Sequence, residues 1–99
     1  MTEMRQTEQF TTWLRGLRDR AGIARIAVRI QRLKEGNPGS HRVLTGGVSE
    51  MKIDFGPGYR VYFTQRGEIL IVLLAGGDKA SQQRDIELAF RLAKEIDNR

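Results

Sequence analysis

The chain has no cysteine, a single histidine, two prolines and one tryptophan in 99 residues. Without thiols, disulfides, thiolate zinc sites and cysteine nucleophiles are excluded. One histidine, His41, cannot build a multi-histidine metal site within one chain, so no metal or other cofactor is expected. No stretch reaches the roughly 18 consecutive apolar residues that a membrane helix needs, which excludes a spanning helix and predicts no membrane partner. The opening Met1–Gln6 is polar and lacks the apolar core of a signal peptide, so a cytoplasmic protein is expected. Linkers, repeats and low-complexity tracts are also missing. With 39% apolar and 29% charged residues, the composition is that of a globular chain. A single domain spanning residues 1–99 is predicted.

Acids are the scarcer charge, with 12 Asp and Glu against 17 Lys and Arg, for a net charge of +5. Thirteen of the bases are arginines, whose planar fork suits bidentate phosphate or carboxylate contacts. Residues 1–42 carry nine bases and four acids, whereas residues 43–99 carry eight of each. The excess therefore lies wholly in the first half, as a footprint for a polyanion or an acidic partner.

Periodicity gives the elements. Met4–Thr7 reads as a short strand or a lead-in, and Thr7 as an N-cap. Phe10, Trp13, Leu14 and Leu17 then recur at helical spacing. This helix should stop by Asp19–Gly22. A second follows with Ile23, Ile26, Ala27, Ile30 and Leu33 on one face and a stripe of Arg18, Arg25, Arg29 and Arg32 on the other. Gly36-Asn37-Pro38-Gly39 ends it.

Alternation then predicts strands. Val43–Thr45 is a short one. Met51, Ile53 and Phe55 alternate with Glu50, Lys52 and Asp54, and Tyr59, Val61 and Phe63 with Arg60, Tyr62 and Thr64. A three-residue loop at Gly56–Gly58 would set Phe55 against Tyr59, Lys52 against Tyr62 and Asp54 against Arg60. Arg66-Gly67 marks a hairpin. Glu68–Ala75 is apolar at both parities, as a central strand covered on both faces should be. Ser81 is the expected cap of a last helix. The fold class read from these elements is α+β: two N-terminal helices packed on a small curved antiparallel sheet, with a short C-terminal helix.

The polar sheet face would then carry Glu50, Lys52, Asp54, Arg60, Tyr62 and Thr64, with Ile69, Ile71 and Leu73 from the central strand. Lys52, Arg60 and Tyr62 gather there, with Lys79 at the Gly77-Asp78-Lys79 corner. Two readings are open: a cradle for a phosphate and a stacked base, or ordinary surface pairs worth about 0–1 kcal/mol each. Trp13 reads as core, His41 as an exposed bystander, and Asp78 as a turn hydrogen-bonding residue.

Gly56-Pro57-Gly58-Tyr59-Arg60-Val61-Tyr62-Phe63, followed by Leu73-Leu74-Ala75-Gly76-Gly77-Asp78-Lys79-Ala80-Ser81-Gln82, resembles the addiction-module killer proteins (HigB-like) of the RelE/ParE toxin superfamily. The likeness covers nearly the whole chain, and the two segments together are specific. It implies a RelE/ParE-like fold and the toxin of a type II toxin–antitoxin system, silenced by a cognate antitoxin. Most of the RNA-cutting members act on mRNA in the ribosome; the ParE branch inhibits DNA gyrase instead. The resemblance also implies catalytic positions at Lys52, Arg60 and Lys79. Where RNA-cutting relatives often carry Tyr or His early in the last helix, this chain reads Gln82-Gln83-Arg84-Asp85-Ile86.

For such an endoribonuclease the RNA's own 2′-hydroxyl attacks the adjacent phosphorus, with no metal required. The enzyme orients that attack and stabilises the phosphorane. Arg60 would clamp the phosphorane, and Lys79 would bind phosphate beside a helix N-terminus. Lys52 would act as base or as a further clamp. Tyr62 would orient the ribose, stack a base, or serve the core. Arg25, Arg29 and Arg32 would grip RNA phosphates, hold an acidic antitoxin segment, or simply be solvated. The remaining alternative is a catalytically inactive basic module that binds RNA or protein.

Overall fold

Two side-chain caps begin the helical part of the chain. The computed structural model describes residues 2–98, opening with β1 (Glu3–Gln6), α1 (Glu8–Gly16) and α2 (Arg20–Lys34). Thr7 accepts from the Phe10 amide at 3.0 Å and donates to the Leu74 carbonyl at 2.6 Å, so one side chain starts α1 and ties it to the sheet. Asp19 accepts from the Gly22 amide at 2.9 Å and from the Tyr59 hydroxyl at 2.8 Å, doing the same for α2. Arg18 therefore lies between the helices, outside the expected stripe. After α2 come β2 (His41–Val43), β3 (Val48–Ile53), β4 (Tyr59–Arg66), β5 (Leu70–Gly77) and α3 (Gln82–Asp97).

The α+β class stands, but its arrangement differs from the one expected. The sheet is five-stranded and mixed, in the order β1-β5-β4-β3-β2, with β1 parallel to β5 and the other neighbours antiparallel. The helices do not gather on one side. The pair α1–α2 covers one face, where Phe10, Ile26 and Leu33 meet Met51, Ile53, Val61, Phe63, Ile71 and Leu73. Helix α3 covers the other, where Ala89, Leu92 and Ala93 meet Val48, Tyr62, Val72, Leu74 and Ala75. At 16 residues α3 is the longest helix rather than a short one. The expected RelE/ParE-like layout is thus overturned by a parallel edge strand and a two-sided helical cover. The physical reason lies in β5: a strand apolar at both parities needs a second apolar layer, which only α3 can supply.

Two registers also shift. Ile53 lies opposite Tyr59, Lys52 opposite Arg60 and Glu50 opposite Tyr62, so the β3–β4 loop has five residues and Asp54 and Phe55 belong to it. Gly56 at φ 56° and Gly58 at φ 80° allow that wide turn. On β5, a bulge between the Tyr62–Ala75 and Phe63–Leu73 pairs leaves Leu74 without an opposite partner. Leu74 and Ala75 then both serve the α3 core, while Ile71 and Leu73 face α1–α2, opposite to the parity expected. The edges are protected: β2 has only three residues, and β1 is the polar Glu-Met-Arg-Gln with Glu3 and Arg5 paired.

Candidate functional site

The corrected register brings together the cations that the sequence singled out. Across one end of the sheet Lys52 lies opposite Arg60, and Arg60 opposite Gly77. Lys79 follows two residues later, exposed and next to the β3–β4 loop, its Cβ 3.5 Å from where a Cβ on Gly58 would stand. Lys52 is exposed, but Arg60 is only 8% accessible. All project on the α3 side of the sheet or from the turn leading into α3.

Arg60 is held from behind. Its Nη1 donates to Glu50 Oε1 at 3.3 Å, and the same oxygen accepts from Arg42 Nε at 2.7 Å. The other oxygen of Glu50 accepts from Gln82 Nε2 at 3.0 Å. Burial works to raise the Glu50 pKa, yet the hydrogen bonds from Arg42 and Gln82 outweigh it and hold the carboxyl below its ordinary value. Two arginines on one carboxylate leave a net positive charge. Among the described residues the buried Arg60 Nε has no partner.

Tyr62 sits apart from any surface. It is fully buried under α3, so base stacking is not open to it. Burial and then the Glu50 charge push its hydroxyl pKa far above the usual tyrosine value. The hydroxyl has no well-formed hydrogen bond among the described residues. It lies against the Glu50 carboxylate without full hydrogen-bond geometry, so removing it costs little. Tyr62→Phe is therefore expected to keep or raise the thermal midpoint and to leave any RNA cleavage within about twofold of wild type. A combined melting and cleavage assay checks this; a large loss of cleavage would restore Tyr62 to the site.

On the far side of Gly77 lies Asp85, 7% accessible, its Oδ2 occupying the space that a Gly77 side chain would take. Ser81 stands at the N-cap position of α3 as expected, but its Oγ donates to Asp85 at 2.5 Å and makes no capping bond to an α3 amide. Asp78 makes the turn, accepting from the Ala80 and Ser81 amides at 2.9 and 3.2 Å. A depression of about 630 Å³ opens here, lined by Trp13, Gly76, Asp78, Ser81, Arg84 and Asp85. Burial raises the Asp85 pKa despite the Ser81 bond and nearby Arg84. A carboxyl raised in the folded state binds its proton more tightly there than in the unfolded chain. Its ionisation then costs stability as pH climbs through the ordinary carboxyl range, and the cost is complete above the folded pKa. Asp85→Asn is accordingly expected to raise the melting midpoint at pH 7, the gain shrinking towards pH 3. A gain independent of pH would contradict this assignment.

The arginines of α2 form a second grouping on the other face of β3. Arg25 lies over the Phe55 ring, 4.4 Å from its centroid. Arg29 donates to the Lys52, Pro38 and Ser40 carbonyls at 2.6, 3.0 and 3.0 Å, pinning the α2–β2 connection to β3. Its guanidinium is thus committed to the fold. Arg32 remains exposed. With Val28, Ile53 and Asp54 these residues line a groove of about 420 Å³.

No protein-family model matches the chain. It is 40% identical over 94 residues to an uncharacterized protein of Haemophilus influenzae, a match covering 95% of each chain. The chain belongs to that protein's family. A span of that length takes in both groupings, from Arg25 to Lys79. No helix among the described residues is long and apolar enough to cross a membrane.

Sequence reasoning missed Glu50, Arg42 and Gln82 as a unit. Alternation did place Glu50 on the same sheet face as Arg60 and Tyr62, which is the available signal. The two-residue error in register paired Tyr62 with Lys52 and so hid Glu50. Nothing in the local sequence marks Gln82 as reaching back to the sheet.

Proposed function

We propose that this protein is the toxin of a type II toxin–antitoxin pair, a metal-independent endoribonuclease that cuts mRNA on the ribosome. The observation that carries the reading is the direct cross-strand pairing of Lys52 with Arg60, with Lys79 just beyond Arg60's other neighbour. The family resemblance of the Gly56–Phe63 and Leu73–Gln82 segments supports it. In this reading Arg60 meets the phosphorane oxygens with donors left free by Glu50, since a guanidinium stays charged throughout. Lys52, exposed beside it, serves as a second clamp. Lys79 holds the phosphate near the start of α3, where free amides add their dipoles. The attacking group is the RNA's own 2′-hydroxyl, displacing the 5′-oxygen of the next nucleotide.

The partner in this reading is an antitoxin with an acidic segment. The groove beside Arg25 and Arg32, with apolar Val28 half-exposed at its wall, supports an amphipathic acidic occupant.

Induced expression of wild type and of Lys52→Ala, with mRNA 5′ ends mapped and plasmid supercoiling followed, tests the function. New cuts at ribosome-occupied codons, weaker in the folded variant, are expected. Arrested growth with intact mRNA and altered supercoiling would replace this reading with gyrase inhibition.

A further inference from the structure

We infer that Glu50 is the positioning residue for Arg60: its buried carboxylate gathers Arg42 from β2, Arg60 from β4 and Gln82 from the first turn of α3, and so aims the Arg60 guanidinium. This rests on the nuclease reading of the Lys52–Arg60–Lys79 end of the sheet.

The geometry is unusual for a structural pair. Glu50 is 2% accessible and has no apolar duty there. It stands opposite Arg42 on one neighbouring strand and opposite Tyr62 on the other. Arg60 lies two residues along β4, a diagonal neighbour that a glutamate reaches. One carboxylate oxygen takes both arginines and the other takes Gln82. Such a hub costs desolvation, and buried ion pairs are weak contributors to stability. Their better-supported service is to fix one arrangement among several. Here the arrangement fixed is that of a buried arginine whose guanidinium has one side-chain partner, Glu50, among the described residues, and whose buried Nε has none. Gln82 adds the start of α3 to the same anchor, so helix and clamp keep one relative position.

The test uses the full-length chain, ribosomes programmed with a defined mRNA, and nitrogen-15 NMR of the arginine Nε–H groups. Glu50→Gln is expected to lower the cleavage rate at saturating ribosomes by about 10- to 100-fold, as a displaced catalytic group does. The concentration for half-maximal rate should stay within about threefold, because Lys52 and Lys79 still bind phosphate. Because Glu50 acts through Arg60, adding Glu50→Gln to Arg60→Ala should slow cleavage no further. The Arg60 Nε–H signal should move and lose its restraint in Glu50→Gln. Gln82→Ala, which removes only one contact, should slow cleavage less and serves if Glu50→Gln does not fold. Equal slowing in both backgrounds, or an unmoved Arg60 signal, would overturn the inference. A wild type that cuts no RNA, with the Arg60 signal still shifted by Glu50→Gln, would overturn the nuclease reading alone.

Discussion

Arg60→Ala is expected to lower RNA cleavage by about 100- to 1000-fold, the loss typical when one preorganised donor to a developing oxyanion is removed. The fold should survive it. Glu50 keeps its bonds to Arg42 and Gln82 after the change, so no buried carboxylate is left bare. The stability cost is then about 1–3 kcal/mol for one charge-assisted hydrogen bond, against the usual 5–15 kcal/mol for a domain. That separation makes the experiment decisive. Single-turnover cleavage on programmed ribosomes gives the catalytic effect, and a melting curve of the same sample shows the protein intact. Lys52→Ala should act in the same direction but less, since an exposed ammonium is more fully screened. A folded Arg60→Ala protein that cuts within threefold of wild type would remove the arginine from the mechanism.

Phe10→Ala is expected to destabilise the protein by about 3–5 kcal/mol, the range for emptying an aromatic site in a close-packed core. Phe10 is fully buried, anchored between Thr7's cap and the sheet, with its ring centroid 5.7 Å from that of Trp13. Trp13 in turn packs edge-on to Tyr59 at 6.3 Å and presses its ring on Gly76, where any Cβ would fall about 2.1 Å from it. The ring can neither collapse into the void nor tilt freely, so the cavity stays open. In a domain of this size such a loss lowers the melting midpoint by about 15–25 °C. Denaturant unfolding should show a lower midpoint with an unchanged slope. Ile69→Ala gives the contrast: Ile69 is 76% exposed at the β4–β5 turn, and its removal should change stability by less than about 0.5 kcal/mol.

Much of the fold was legible because short-range physics writes it. Thr7 caps α1 as its position before Phe10 and Trp13 requires, and the alternation of Met51 and Ile53 with Tyr59, Val61 and Phe63 correctly put these residues on one face. What failed depended on distance. Met4 is the lone apolar residue of β1, and its partner Ile71 lies far along the chain, so no local pattern announces the parallel pair. The side that α3 covers is likewise a tertiary choice, although the double-sided apolar β5 already demanded a second layer. Loop length was the third failure. Two residues more in the β3–β4 turn kept every side chain on its expected face, because strand periodicity is two, yet exchanged the neighbours. Lys52, Arg60 and Lys79, singled out by the face they share and by the family resemblance, therefore end up at one end of the sheet. Glu50, which meets Arg60 only in the true register, was not singled out with them. Arg29 shows the opposite error: a cation that looked available is consumed by three backbone carbonyls.

The parallel β1–β5 pair has a consequence for how the chain is made. Glu3 is synthesised 67 residues before its partner Leu70. At about 5–20 residues per second, β1 waits several seconds for the strand it joins. Helices α1 and α2, each started by its own cap, can begin to form during that interval, but α1 packs on β5, and the sheet closes only when both of its ends are present. Closing so long a loop is entropically costly and slow relative to helix formation. The cationic row shares this timing, since Gly77 and Lys79 lie at the late end of the same strand. A chain interrupted before β5 thus has an unpaired first strand and lacks Gly77 and Lys79 beside Arg60, so completion of the sheet and of the candidate site are one event.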